Sequence, residues 1–158
     1  MALKKIKAPS TKNMEQVFQF FVEINIIQML ANTVMVRVMP HELTPSQFAL
    51  LSHFSRVEDL RQSIVDLARI FQVSKPSMGE TVDKLHNKGF VKIEINSMDR
   101  REKIVSLTKK GALAKIDAEK AVYPFLKSMI EKIGINQFTS AHAAINPIRI
   151  WMDSNRNI

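Results

Sequence analysis

Residues 90–111 read FVKIEINSMDRREKIVSLTKKG. Two runs rich in Val and Ile, residues 90–95 and 104–107, flank a polar turn that contains the adjacent residues Arg100 and Arg101. Such runs on either side of a short polar segment predict a β-hairpin. This is the only convincing strand material in the 158 residues, so the remaining chain is predicted to be mainly helical.

The segment before this hairpin is predicted to be a helix. Ser74 is a favourable N-cap, Pro76 is tolerated in the first turn, and Gly89 ends the helix. At helical spacing, the side chains that would face inward are Met78, Val82 and Leu85. A shorter helix precedes it, opened by Ser63 with Asp66 and continuing through Phe71; its predicted buried face is Ile64, Leu67, Ala68 and Phe71. Only about three residues separate the two helices, which suggests a helix-turn-helix.

Another helix start lies further upstream, at residues 43–47. Thr44 is predicted to cap it, Pro45 occupies the first position, and Gln47 can reach back to the cap. This helix is expected to continue to about Ser55, with an acidic loop at Glu58 and Asp59 beyond it.

Long helices are predicted on both sides of this central segment. Residues 13–39 carry an apolar stripe so wide that burial against a second copy of the chain is expected, and Pro40 stops the helix. Residues 108–133 form another helix, with a kink at Pro124 and a C-terminal cap at Gly134. A last helix covers about 136–153 and is predicted to be interrupted at Pro147.

The charge distribution points to an anionic partner. The chain has 23 basic and 15 acidic residues, for a net charge of +8. The excess lies in the first twelve residues, with Lys4, Lys5, Lys7 and Lys12, and in residues 61–111, with eleven bases against six acids. A nucleic acid or an acidic membrane surface would be attracted to this positive charge. The Lys-rich tail either follows such a partner or is only a disordered, solubilising end.

Several chemistries are excluded or disfavoured by composition. The chain has no Cys, which removes disulfides, thiolate metal sites and thiol nucleophiles, and fits a reducing cytosol. The four His residues show no metal-ligand spacing, and no nucleophile with a base, carboxylate dyad or phosphate loop can be assembled, so neither an enzyme nor a cofactor is expected. Glu23 and several amides interrupt the most apolar segment, so no membrane span is expected.

The order helix, helix-turn-helix, hairpin, helix is that of a winged helix, and the hairpin carries a specific motif. Asp99, Arg101, Leu107, Thr108 and Gly111 fit DxRxxxxxLTxxG, which resembles the wing signature of the multiple-antibiotic-resistance regulator (MarR) family. The stretches LTPSQFALL at 43–51, DLARIFQVSKPS at 66–77 and VDKLHNKGFV at 82–91 support the resemblance.

The resemblance implies a mostly α fold with a small β-hairpin wing, namely a winged helix-turn-helix between long dimerisation helices. We divide the chain into a basic flexible tail (1–12), a dimerisation helix (13–40), a winged helix-turn-helix (41–111) and C-terminal dimerisation helices (112–158). The implied function is that of a homodimeric, cytoplasmic, nucleoid-associated repressor that binds a pseudo-palindromic DNA operator. The alternatives are an effector-independent activator or architectural DNA-binding protein, or a winged helix used only for protein interaction.

Candidate DNA contacts lie at the two helix starts and on the wing. They are Ser63, Ser74, Lys75, Ser77, Thr81, Lys84, Arg100, Arg101 and Lys103. At the wing tip, either both arginines enter the minor groove, or Arg101 pairs with Asp99 to shape the wing while Arg100 contacts DNA.

Three residues depart from the family pattern: Gly79 and Glu80 in the recognition helix, and Ile93 where an Arg is common. Glu80 either accepts a hydrogen bond from a cytosine or pairs with Lys84 at i+4. Gly79 costs about 1 kcal/mol of helix propensity relative to Ala, unless close approach to DNA or to another helix compensates.

The resemblance also implies a small amphipathic or phenolic effector. Its cavity would lie between the dimerisation helices and the winged helix, and the candidate lining residues are Met29, Met35, Phe48 and Phe54. Trp151 is expected to anchor the final helix in the dimer interface.

Overall fold

A computed structural model of the chain describes residues 8–57, 60–97 and 99–156. Within this part, six α-helices, a short 3-10 turn and three strands follow one another. They are α1 (Thr11–Val38), the 3-10 turn (Pro40–Glu42), α2 (Pro45–Phe54), β1 (Arg61–Ser63), α3 (Ile64–Ile70), α4 (Lys75–Asn87), β2 (Val91–Ile95), β3 (Lys103–Leu107), α5 (Lys109–Ile133) and α6 (Ile135–Ser154). The mostly helical fold with a β wing is therefore confirmed.

The predicted helix starts are confirmed by their caps. The hydroxyls of Thr44, Ser63 and Ser74 accept hydrogen bonds from the amides of Gln47, Asp66 and Ser77, at 3.2, 3.1 and 3.2 Å. Gln47 also accepts from the amide of Thr44, which completes a capping box. These bonds use amides that have no partner within a helix, and so they fix where each helix begins.

The sheet has one strand more than the sequence predicted. β1 pairs antiparallel with β3, and β3 pairs with β2, so that β3 lies in the middle. Arg61 on β1 reaches across to Glu94 on β2, with 2.6 Å between the charged atoms. The hydrogen bond from Lys92, with the charge of Arg61, lowers the pKa of Glu94 and keeps it anionic. The three residues of β1, RQS, show no β pattern in the sequence. This strand forms only because β3 offers a free edge.

The core lies under the helix-turn-helix and the wing. Leu50 and Leu51 of α2, Leu67 of α3, Leu85 of α4 and Val105 of β3 are fully buried. Each fully buried aliphatic side chain contributes about 1.5–3 kcal/mol of hydrophobic free energy. The predicted inward faces are confirmed for Met78, Val82, Leu85, Leu67 and Ala68, while Ile64 and Phe71 are half-buried at the edge of the same core.

The long helices leave apolar side chains uncovered in a single chain. Neither α1 nor α6 has a buried residue, and Ile27 and Trp151 remain 60% and 61% exposed. By length and composition alone α1 could also cross a membrane. A helix that pairs with a second copy of the chain has the same length and apolar composition when one chain is considered alone. The apolar surface of α1 and α6 is therefore left uncovered within one chain, and its burial against a second copy stays a prediction.

Two of the three prolines predicted to disturb helices do not end them. Pro40 lies just beyond the end of α1 and begins the 3-10 turn, as expected of a stop. The interruption predicted at Pro147 is wrong, because α6 continues through it, and α5 likewise continues through Pro124. Each proline removes one backbone hydrogen bond. Helices of 20 and 25 residues keep enough other hydrogen bonds to tolerate this loss. Gly134, with φ 90°, caps α5 as predicted.

Candidate nucleic-acid interface

The first turn of α4 presents a small polar surface. Ser74, Lys75 and Ser77 are exposed, and the Ser74 hydroxyl both caps the helix and donates to the Ser77 hydroxyl at 3.0 Å. Pro76 has no amide hydrogen and the Ser77 amide is used by the cap, so the helix dipole, positive at this end, is what favours an anion here. This turn therefore has the chemistry to meet phosphates or base edges.

Further along α4, Thr81 and Lys84 are already engaged. The Thr81 hydroxyl donates to the carbonyl of Ser77 at 3.0 Å, and the Lys84 ammonium lies 2.7 Å from the Glu80 carboxylate. Of the two alternatives for Glu80, the structure therefore favours the i+4 pair. The hydrogen bond from Lys84 lowers the pKa of Glu80, which keeps the carboxylate charged at neutral pH. In the free protein, this pair reduces the positive charge that α4 offers to DNA.

Replacing Glu80 with Gln is expected to strengthen DNA binding by about 5-fold, because Lys84 is released and a negative charge leaves the surface. The slope of log K against log salt should steepen by about one unit. Fluorescence anisotropy at several salt concentrations measures both. Glu131→Gln is the matched control, since Glu131 forms the same i,i+4 pair with Lys127 on α5. Equal effects of the two variants would show that Glu80 acts only through net charge.

Ser63 caps α3 as predicted, and its side chain is buried. It is 4% exposed, caps α3, and donates to the Asp66 carboxylate at 2.9 Å. Its side chain is therefore a structural cap beneath the surface. The sequence pattern that marked it as a helix start was correct, and its hydroxyl is used inside the protein. A phosphate contact through the backbone amides of this helix start stays a prediction.

The wing tip is held by hydrogen bonds around Asp99. Its carboxylate accepts from the backbone amide of Arg101 at 2.9 Å, and its carbonyl accepts from the amide of Glu102 at 3.0 Å. The side chain of Asn96 donates to the Glu102 carboxylate at 2.8 Å across the turn. Asp99 thus shapes the wing through the Arg101 backbone, whereas the sequence had suggested the Arg101 side chain. Arg100 and Arg101 are both exposed.

A cleft of about 390 Å³ brings the helix and the wing together. Lys75 and Gly79 of α4 line one side, and Arg101 and Lys103 of the wing line the other. Residues from the start of α3 also line it, as does one carboxylate, Glu102. Three segments that are far apart in sequence therefore form one surface with three cationic side chains.

Gly79 faces open space. A Cβ built on it meets nothing within 4 Å, so packing against another helix does not explain the glycine. Of the two compensations considered from the sequence, a neighbouring helix is thereby excluded, and close approach to DNA stays a prediction. The position of Gly79 in the cleft is consistent with such an approach.

The predicted effector residues divide into two groups. Met35 and Phe48 line a cavity of about 690 Å³ between α1, α2, α3 and α5. Met29 does not line this cavity and is 63% exposed, while Phe54 is 2% exposed and belongs to the core. The sequence reading missed the polar side of the cavity, formed by Ser52, His53, Arg56, Lys115 and Glu119.

The remaining predictions concern metals and the tail. Among the described residues, no group of three or more His, Asp or Glu side chains could hold a metal ion. Lys4, Lys5, Lys7, Glu58 and Asp59 lie outside the described residues. Lys12 is exposed on the first turn of α1, because that helix begins at Thr11, two residues earlier than predicted.

The helix-turn-helix formed by α3 and α4, backed by α2 and flanked by the β2–β3 wing, defines a winged helix. Residues 41–102 match the sequence profile of the MarR family. The winged-helix fold is therefore confirmed, and this segment resembles the MarR family, as its wing signature predicted.

Solved structures show the same fold over most of the chain. MarR has a TM-score of 0.72 at 18% identity, covering 96% of this chain and 99% of its own. A mutant MarR from E. coli complexed with operator DNA has a TM-score of 0.71 at 17% identity, covering 89% and 99%. The transcriptional regulator BldR from Sulfolobus solfataricus has a TM-score of 0.67 at 24% identity, covering 81% and 97%. The likeness extends beyond the winged helix to the long flanking helices.

Proposed function

We propose that the protein is a homodimeric, sequence-specific DNA-binding regulator of transcription. The observation that carries the proposal is the cleft in which Lys75, Arg101 and Lys103 meet beside the exposed first turn of α4. A helix start and an arginine-bearing hairpin on one face can contact a major groove and a neighbouring minor groove together. The neighbouring fold of E. coli MarR, solved with operator DNA, supports this placement.

A dimer follows from the uncovered apolar surface of α1 and α6. A twofold axis would present two α4 helices to half-sites about one helical turn, roughly 10 bp, apart. Ser74, Lys75 and Ser77 would read or clamp the major groove, and Arg100 and Arg101 would enter the minor groove. Thr81 and Lys84 would contribute after their internal bonds open.

The test compares DNA from upstream of the protein's own gene with scrambled DNA by fluorescence anisotropy. A preference on the order of 10³ for one upstream site is expected of specific recognition. Arg100→Ala should weaken that binding about 5- to 10-fold and reduce the salt slope by about one unit. Lys127→Ala, on α5, is the control for a lost exposed charge. Weak and equal binding to both DNAs would contradict the proposal and favour a protein-interaction role.

We further propose that the regulator is a repressor released by a small amphipathic or phenolic effector. The supporting observation is the cavity lined by both apolar residues, among them Met35 and Phe48, and polar residues, among them Ser52 and Lys115. Within the described structure, the buried hydroxyl of Ser52 has no hydrogen-bond partner. An unsatisfied buried hydroxyl costs about 1–3 kcal/mol, and a ligand oxygen in the cavity would remove that cost.

Ser52→Ala separates this role from a structural one. The variant should be as stable as the wild type or more stable, because the unsatisfied hydroxyl is gone. Its affinity for a phenolic ligand should fall about 5-fold, the equivalent of one ordinary hydrogen bond. Calorimetry with phenolic compounds and a thermal melt measure the two effects. Unchanged ligand affinity would place the effector elsewhere, and a phenol that leaves operator binding intact would remove the release mechanism.

A further inference from the structure

The ammonium of Lys88 lies at the joint between α1 and the helix-turn-helix. It donates to the carbonyls of His41 and Glu42 at 2.9 and 2.8 Å, and lies 3.4 Å from Oε1 of Gln47. The two carbonyls belong to the 3-10 turn that follows α1, and Gln47 belongs to the first turn of α2. One side chain therefore uses all three of its donors on the segment that leaves the dimerisation helix.

This turn has a backbone conformation that needs support. His41 and Glu42 have φ of 59° and 53°, in the left-handed region that residues with a Cβ rarely adopt. A residue in this strained conformation persists only where its surroundings hold it. Because the carbonyls of both residues face Lys88, its charge stabilises the conformation at the place where strain is stored.

Lys88 is also the C-terminal cap of α4, the recognition helix. Its own amide bonds back to the carbonyl of Lys84 at 3.3 Å, and its carbonyl accepts from the ammonium of Lys110 at 2.7 Å. On the other side of the turn, the His41 ring lies 3.3 Å from Asp117 of α5 and packs on the edge of Phe90. The end of α4, the turn after α1 and the start of α5 therefore meet around one lysine.

We propose that Lys88 is a positioning residue that fixes the angle between the dimerisation helix α1 and the recognition helix α4. In a twofold dimer this angle sets the distance between the two α4 helices and thus the half-site spacing that the protein accepts. The effect on half-site spacing rests on the proposed function, whereas the angle between α1 and α4 is a property of one chain.

The test measures the angle directly, by pulsed electron spin resonance between two spin labels in one chain. The sequence has no Cys, so spin labels attach only to cysteines that are introduced. We place these cysteines at Glu15 on α1 and Asp83 on α4, which are both exposed. An excess of unlabelled protein keeps each label pair within one chain. Lys88→Met should broaden the distance distribution about twofold, and Lys88→Arg, which retains charged donors, should restore most of the narrow width. Lys92→Met, which removes a lysine paired with Glu94 on the wing, is the matched control.

A second readout uses operators whose half-sites are moved by one base pair in either direction. The wild type should prefer one spacing by about 10-fold, and Lys88→Met should reduce that preference to about 2-fold. A lysine that only stabilised the fold would lower the melting temperature and leave the distance distribution and the spacing preference unchanged, which would overturn the proposal. Should Lys88→Met not fold, Lys88→Gln carries the same expectations. If the distance distribution broadens but the protein binds no DNA, the positioning role of Lys88 is supported and the proposed function is contradicted.

Discussion

Gly111→Ala is expected to lower the free energy of unfolding by about 3 kcal/mol, at the upper end of the usual cost of overpacking. A Cβ at this position would lie 2.0 Å from the carbonyl oxygen of Phe90 and 2.8 Å from its carbonyl carbon. Both atoms belong to backbone that enters β2, so no flexible side chain can move away. Either the start of α5 must separate from the sheet or the strand must shift.

A thermal melt followed by circular dichroism checks this prediction, and a loss of roughly 10 °C is expected for a chain of this size. Gly79→Ala is the matched control, because it makes the same change inside a helix where the added Cβ meets nothing within 4 Å. That variant should gain up to about 1 kcal/mol of stability from helix propensity. Similar melting temperatures for the two variants would show that the contact with Phe90 relaxes at little cost.

The expected loss gives the wing signature a physical meaning. The Thr108 hydroxyl lies 2.8 Å from the carbonyl of Gly89 and 3.1 Å from that of Phe90, and it accepts from the amide of Gly111 at 3.0 Å. Thr108 and Gly111 therefore fasten the start of α5 to the start of the wing. This half of the motif holds the fold together, while the half that contains Arg100 and Arg101 carries the exposed cations.

The second large effect is expected from Ile27→Glu. Ile27 is 60% exposed on α1 in a single chain, and in the proposed dimer it lies in an apolar interface. An unpaired carboxylate buried there costs about 3–5 kcal/mol. The dimer dissociation constant should therefore rise by about 10³-fold. Operator affinity should fall with it, because one recognition helix alone contacts one half-site.

Analytical ultracentrifugation over a range of concentrations measures the dissociation constant, with circular dichroism to confirm that the monomer remains folded. Val57→Glu is the control, since Val57 is similarly exposed, at 55%, and lies in the loop after α2 rather than on α1 or α6. A wild-type chain that is monomeric at micromolar concentration would contradict the dimer. An Ile27→Glu variant that stays dimeric would place the interface on another face.

Local chemistry made much of this fold predictable from the residues. Thr44, Ser63 and Ser74 mark helix starts because a capping hydroxyl acts within three residues of its own position. The inward faces of α3 and α4 followed from helical spacing, and the Glu80–Lys84 pair from the i+4 geometry of a helix surface. The two β-rich runs and the polar turn between them also predicted the wing with Arg100 and Arg101 at its tip.

The sequence by itself determined the elements, their order, the family motif and the cationic segments, since these depend on neighbours along the chain. Only the tertiary structure decided what depends on neighbours in space. It recruited β1 to the free edge of β3 and buried Ser63. It also brought Lys75 to Arg101, and Lys88 to a turn more than 40 residues away. No local pattern encodes such contacts, because they form when packing of the core brings distant segments together.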